Sequence, residues 1–136
     1  PDAFSKNGLV AREGAWIRHL AKTTCTPVLG ICCGHQILAG AFGGEVGKRD
    51  EKNDRVLPVY PIAENPLFSK PLNLQFHHAY EVKKVPDGFE WFAEGKPPAS
   101  AIQGIRLKGK SVFGIQAHPE LGADGLEIIT RFLELI

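Results

Sequence analysis

No apolar stretch in this 136-residue chain approaches the roughly 20 residues that cross a membrane, and no secretory signal is visible. Neither charge sign is in excess. The net charge is +1 with both signs mixed throughout, which offers no electrostatic surface to nucleic acid or to a membrane. A disulfide framework is absent too. The three cysteines are Cys25, Cys32 and Cys33, an odd count with two adjacent, and neighbours rarely reach disulfide geometry without strain. There is no CxxC motif, and a reducing, cytoplasmic setting is expected. Internal repeats, low-complexity segments and linkers are missing, so residues 1–136 are expected to form one domain with a real core. Nor does a methionine stand first: with the loop-like PDAFSKNG from Pro1, a processed chain or a piece of one is expected.

What is present is an alternation of helix and strand signals. Trp16, Ile17, Leu20 and Ala21 lie on one stripe of a helix of about three turns. Pro27 breaks it, and Val28 to Cys32 reads as a short strand buried on both faces. From Gly34 the pattern is helical again until Gly43-Gly44 stops it. Helix, strand, sharp turn and helix make an α/β signature. Short strands follow at Val56–Tyr60, Asn73–Phe76, Phe89–Ala93, Ala99–Leu107 and Ser111–Gln116, the last two joined by a turn at Lys108-Gly109-Lys110. The mixed charges from Lys48 to Arg55 read as a solvated loop or hairpin face. The end is helical, with Asp124 as cap, Glu127 three residues on, and Leu126, Ile129, Leu133 and Ile136 as the buried stripe.

The chemistry concentrates where the first strand meets the second helix. Gly30-x-Cys32-x-Gly34 has the spacing of a nucleophile elbow, with cysteine in place of serine. In such a turn the apex side chain projects above the sheet, and the flanking glycines are there because strand and helix come too close for a Cβ. The helix N-terminus would favour the thiolate of Cys32. Cys33 would open the helix, lending its backbone N–H to an oxyanion while its side chain packs elsewhere. The pattern alone fits equally a pair of buried core cysteines. A second cluster, Ala117-His118-Pro119-Glu120, supplies a base and a carboxylate: residues i and i+2 of extended backbone share a side, so Glu120 can reach the His118 ring.

Taken together, Gly30-Ile31-Cys32-Cys33-Gly34-His35-Gln36 and Gly114-Ile115-Gln116-Ala117-His118-Pro119-Glu120 resemble the paired G-x-C-x-G-x-Q and G-x-Q-x-H-P-E motifs of the class I glutamine amidotransferases, near their GMP-synthase-like and γ-glutamyl hydrolase branches. Pro27-Val28-Leu29, Ile37-Leu38-Ala39 and Phe42-Gly43-Gly44 agree as well. The resemblance implies a flavodoxin-like three-layer α/β sandwich with a mainly parallel sheet. It implies release of ammonia from glutamine through a γ-glutamyl thioester, with Cys32 as nucleophile, His118 as base and Glu120 orienting His118. It further implies the Cys33 N–H in the oxyanion hole, Gln36 and His78 beside the substrate, and no cofactor. His35 is read as a helix-surface residue without a role.

Departures from the pattern carry their own expectations. Pro1 matches the last residue of a glycine loop that supplies the second oxyanion donor, so the strands before it are expected to be missing. The larger C-terminal part of the family domain would then remain. Phe76-His77-His78-Ala79-Tyr80-Glu81-Val82 matches a segment often written S-H-x-D-x-V, with His77 for serine and Tyr80 for aspartate, a pair that helps hold the amino-acid end of glutamine. Ala117 stands where phenylalanine is common, a change of packing. His77 and His78 do not make a metal site: adjacent strand residues point opposite ways, and no familiar ligand set accompanies them. The partners implied are glutamine or another γ-glutamyl substrate, and either an ammonia-accepting synthetase or a complementary N-terminal segment. A stand-alone hydrolase of γ-glutamyl conjugates, and a non-catalytic remnant serving as a binding module, are the competing readings.

Overall fold

The computed structural model describes residues 9–136, so the expectations attached to Pro1 and the opening loop lie outside the described residues. The elements run α1 (Leu9–Thr23), β1 (Val28–Ile31), α2 (Cys33–Ala41), β2 (Glu45–Pro61), β3 (Leu72–Lys84), β4 (Phe89–Glu94), β5 (Ile102–Leu107), β6 (Val112–Ile115) and α3 (Gly125–Leu133). One six-stranded sheet has the order β1-β6-β5-β4-β2-β3. No helix among the described residues is long and apolar enough to cross a membrane.

The layers follow from strand alternation. On β6, Val112 faces Ala21, Leu38, Ile105 and the α1–α2 side, while Phe113 and Ile115 face Phe92, Ile128 and the α3 side. A strand covered on both faces reads as a continuous apolar run, and all four residues of β6 are buried. This is the α/β sandwich expected. The expectation of a mainly parallel sheet is corrected within these residues, where the sheet is mixed. Only β1 and β6 pair parallel; the β2–β3, β2–β4, β4–β5 and β5–β6 pairs are antiparallel. The cause is connection length. The links between β4 and β5 and between β5 and β6 are short, and a parallel neighbour needs a crossover of a dozen residues or more.

Several boundaries also move. The charged stretch from Lys48 to Arg55 belongs to β2, a long strand whose pairing with β3 slips between Lys48 and Asn53. β1 is half-buried, because it ends the sheet with β6 alone beside it. Trp16 is 60% exposed, and α1 packs through Ile17 and Ala21. The α3 stripe is one register away from the expected one: Ile128 is buried with Phe132 and Leu135 behind it, while Leu126, Leu133 and Ile136 are exposed. Asp124 makes no side-chain cap; its carboxylate accepts the Asn73 N–H at 2.8 Å and ties α3 to β3. Gly43, at φ +91°, ends α2 as expected, with the Gly44 N–H returning to the Ala39 carbonyl.

Candidate active site

Cys32 sits between β1 and α2 at φ 52°, ψ −100°, a conformation that costs a non-glycine residue about 1–3 kcal/mol and is held only by its surroundings. Its N–H continues the parallel ladder to the Ile115 carbonyl, and its own carbonyl accepts the Gln36 N–H of α2. The elbow geometry is therefore present. Only one of its glycines is required by space. A Cβ on Gly30 would lie 2.7 Å from the backbone of Gly34, whereas a Cβ on Gly34 would meet nothing within 4 Å.

The free edge of β3 closes over this turn. Its Gln75 carbonyl accepts the His118 N–H at 2.8 Å, its His77 carbonyl faces the Cys32 S–H at 3.8 Å, and its Tyr80 carbonyl accepts Gln36 Nε2 at 2.9 Å. A strand at the far end of the sheet thus ties together residues from β1, α2 and the end of β6. Gln116 completes the tie. Its Nε2 donates to Cys32 Sγ at 3.7 Å, and its Oε1 accepts Gln36 Nε2 at 3.2 Å. Sequence reasoning assigns Gln116 no role, although it belongs to the G-x-Q-x-H-P-E motif. It is a wholly buried amide in the bend just after β6, two residues before His118.

His118 and Glu120 do meet: His118 Nδ1 lies 3.0 and 3.1 Å from the two carboxylate oxygens, so Nδ1 donates and Nε2 is left as acceptor. The route differs from the extended backbone expected. His118 precedes a 3-10 turn, Pro119–Leu121, whose first residue is the proline and whose Leu121 N–H returns to the His118 carbonyl. The turn, not strand alternation, brings the carboxylate back.

Electrostatics in this site run against the expectation of a resting thiolate. Burial pushes the Cys32 thiol up, and the neighbouring Cys33 and Glu120 add to the rise; the Cys33 N–H and the Gln116 amide oppose it. Cys33 itself is exposed, not packed. On α2 it lies opposite the buried face formed by His35, Gln36, Leu38 and Ala39. Cys25 is exposed as well.

Two histidines lie beneath the surface. His78 is buried with Nδ1 2.6 Å from the Tyr80 carbonyl; burial lowers its pKa, and the Arg49 charge adds to that. His35 is wholly buried, which corrects the surface reading. Its Nδ1 would lie 2.6 Å from a Cβ on Gly114, so the ring occupies the space that this glycine leaves. Neither ring nitrogen of His35 finds a partner of good geometry, although the backbone of Gly114 and Ile102 is near enough to favour its charged form. Desolvation dominates and takes its pKa to about 4. No group of metal-binding side chains occurs among the described residues.

Known proteins share this fold. Solved structures superpose with a TM-score of 0.80 for a GMP synthase component of Thermoplasma acidophilum, at 24% identity over 93% of this chain and 63% of the other. A glutamine amidotransferase of Thermotoga maritima gives 0.76, at 22% identity over 98% and 57%. In sequence, the chain is 39% identical to the glutamine-hydrolysing GMP synthase subunit of Methanocaldococcus jannaschii, covering 80% of this chain and 60% of the relative. It is 35% identical to the counterpart from Archaeoglobus fulgidus, over 80% and 61%. The chain thus spans about 60% of the length of these curated relatives. The family model for glutamine amidotransferase class-I matches residues 4–135, from before the elbow to beyond His-Pro-Glu, and the chain belongs to that family.

Proposed function

We propose that this chain carries the cysteine-dependent glutaminase centre of an amidotransferase, in which Cys32 attacks the γ-carboxamide of glutamine. The observation that carries the reading is the strained Cys32 turn joined by one strand edge to a His118–Glu120 pair. Because the resting thiol is held protonated, the proton passes to His118 Nε2 as the C–S bond forms. The Cys33 N–H supports the developing oxyanion, while Gln36 and His78 line the substrate side. Collapse breaks the C–N bond; His118 returns the proton to the departing ammonia, and the γ-glutamyl thioester remains. Water, deprotonated by His118, then releases glutamate. Glu120 holds His118 in the tautomer that both steps need.

The relatives are named as the glutamine-hydrolysing component of GMP synthase, which supports a separate synthetase chain that consumes the ammonia. Three free cysteines support a reducing, cytoplasmic setting. Hydrolysis of a γ-glutamyl conjugate is the second reading, favoured by Tyr80 at the aspartate position of the family segment. Ammonia release from glutamine, run beside turnover of a γ-glutamyl anilide, separates the two.

The triad has its own test. In the full-length protein with its ammonia-accepting partner, His118→Ala is expected to lower kcat nearly as far as Cys32→Ala, with the double variant little worse than either. Glu120→Gln should cost less. Multiplicative losses in the double variant would make His118 structural.

A further inference from the structure

One side chain outside the triad reaches the reacting sulfur. Gln116 follows β6 directly and is wholly buried, with its backbone N–H held by the Gln103 carbonyl at 3.0 Å. Its side-chain amide stands between two partners. Nε2 is 3.7 Å from Cys32 Sγ, and Oε1 is 3.2 Å from Gln36 Nε2.

A backbone carbonyl fixes which way this amide points. The Tyr80 carbonyl can only accept, and Gln36 Nε2 donates to it at 2.9 Å. The Gln36 nitrogen therefore also faces Gln116, which must answer with its oxygen. That leaves the Gln116 nitrogen aimed at the sulfur. Tyr80, Gln36 and Gln116 in series thus present Cys32 with a donor that need not reorganise when charge appears.

Charge develops on this sulfur in both half-reactions. In attack, the Sγ proton passes to His118 Nε2 while a sulfur lone pair forms the C–S bond. When water releases glutamate, the C–S bond breaks and its electron pair returns to Sγ before His118 gives the proton back. In the resting site the S–H faces the His77 carbonyl, an acceptor that cannot stabilise a thiolate. The Cys33 N–H favours the thiolate, but the oxyanion claims it once substrate is bound.

We infer that Gln116 is a further catalytic residue, a neutral donor, aimed by Gln36, that stabilises the charge developing on the Cys32 sulfur in both half-reactions. The assignment rests on the Cys32 chemistry proposed above.

Iodoacetamide alkylation of Cys32 across pH, read by peptide mass spectrometry in the full-length protein, tests this, with exposed Cys25 as internal control. Cys33 and Glu120, which also act on the Cys32 thiol, stay unchanged in every variant. Gln116→Leu should move the Cys32 profile up by about one pH unit and lower kcat for ammonia release about tenfold, with little change in KM. Gln116→Glu keeps the shape and the acceptor for Gln36 but sets a like charge beside the sulfur, and should move the profile at least as far. Gln36→Leu, which leaves Gln116 in place without its aim, should give a smaller shift in the same direction. A Cys32 profile unmoved in either Gln116 variant, or moved together with that of Cys25, overturns the assignment and leaves the Cys32 reading standing. Ammonia release that survives Cys32→Ser removes both.

Discussion

His35 is neutral when folded because its ring is wholly enclosed between α2 and β6. A histidine in the unfolded chain titrates near about 6.5, whereas here the value falls to about 4. The unfolded state therefore binds more protons between these limits, and stability is full above the higher one and lost as pH falls toward the lower. The difference corresponds to about 3 kcal/mol for His35 alone, and His78, lowered by burial too, acts in the same direction. Urea unfolding between pH 7 and 4 should show this loss, and His35→Gln should flatten it. Coincident acid slopes in the two proteins would show that His35 does not carry the effect. None of this burial was legible in the sequence, because which face of α2 lies on the sheet depends on Gly114 leaving room for the ring. The sharp turn at Cys32 was legible, because two glycines, a strand and a helix N-terminus constrain it locally. The raised pKa of Cys32 was not, since desolvation and Glu120 come from distant segments.

At the level of the element, existence was easier to read than register. Each strand expected from apolar runs is present, but β2 and β3 extend beyond them, because ribbon pairing carries charged residues that no apolar signal marks. α3 shows the same limit more sharply. Leu126, Ile129, Leu133 and Ile136 fall on one helical stripe as well as Ile128, Phe132 and Leu135 do. The choice between them is made by Asp124 docking on Asn73 and by Phe132 meeting Phe113 edge-on at 6.5 Å. The two stripes predict opposite mutational outcomes. Ile128→Ala should destabilise by about 2–5 kcal/mol through a cavity beneath the sheet. Leu126→Ala, at 72% exposure, should stay within about 0.5 kcal/mol. Chemical denaturation of both variants decides it, and the reverse order would restore the stripe expected from spacing.

Across the described residues, the sheet ends on one side in the β2–β3 ribbon and on the other at β1, which pairs with β6 alone. Along the β1 edge runs an apolar groove of about 280 Å³, lined in part by Trp16, Ile17, Leu29, Ile31 and Ile37 between α1 and α2. An unpaired parallel edge strand beside an exposed tryptophan is a template for association. A further strand laid beside β1 would satisfy this edge in both shape and hydrogen bonding. Such a segment would also cover the side of the elbow where Gly34 now faces open space. A second oxyanion donor brought with such a strand would be worth a hundred- to thousand-fold or so in rate. The chain alone should therefore self-associate with rising concentration in light scattering and turn over glutamine poorly. Trp16→Lys should reduce the association without restoring turnover. Co-expression with the part of the Methanocaldococcus jannaschii relative that this chain does not match should raise Tm and glutaminase rate together. A monomer that hydrolyses glutamine at an ordinary enzymatic rate without any added segment would mean that β1 is a true edge and that the oxyanion hole is completed from within residues 1–136.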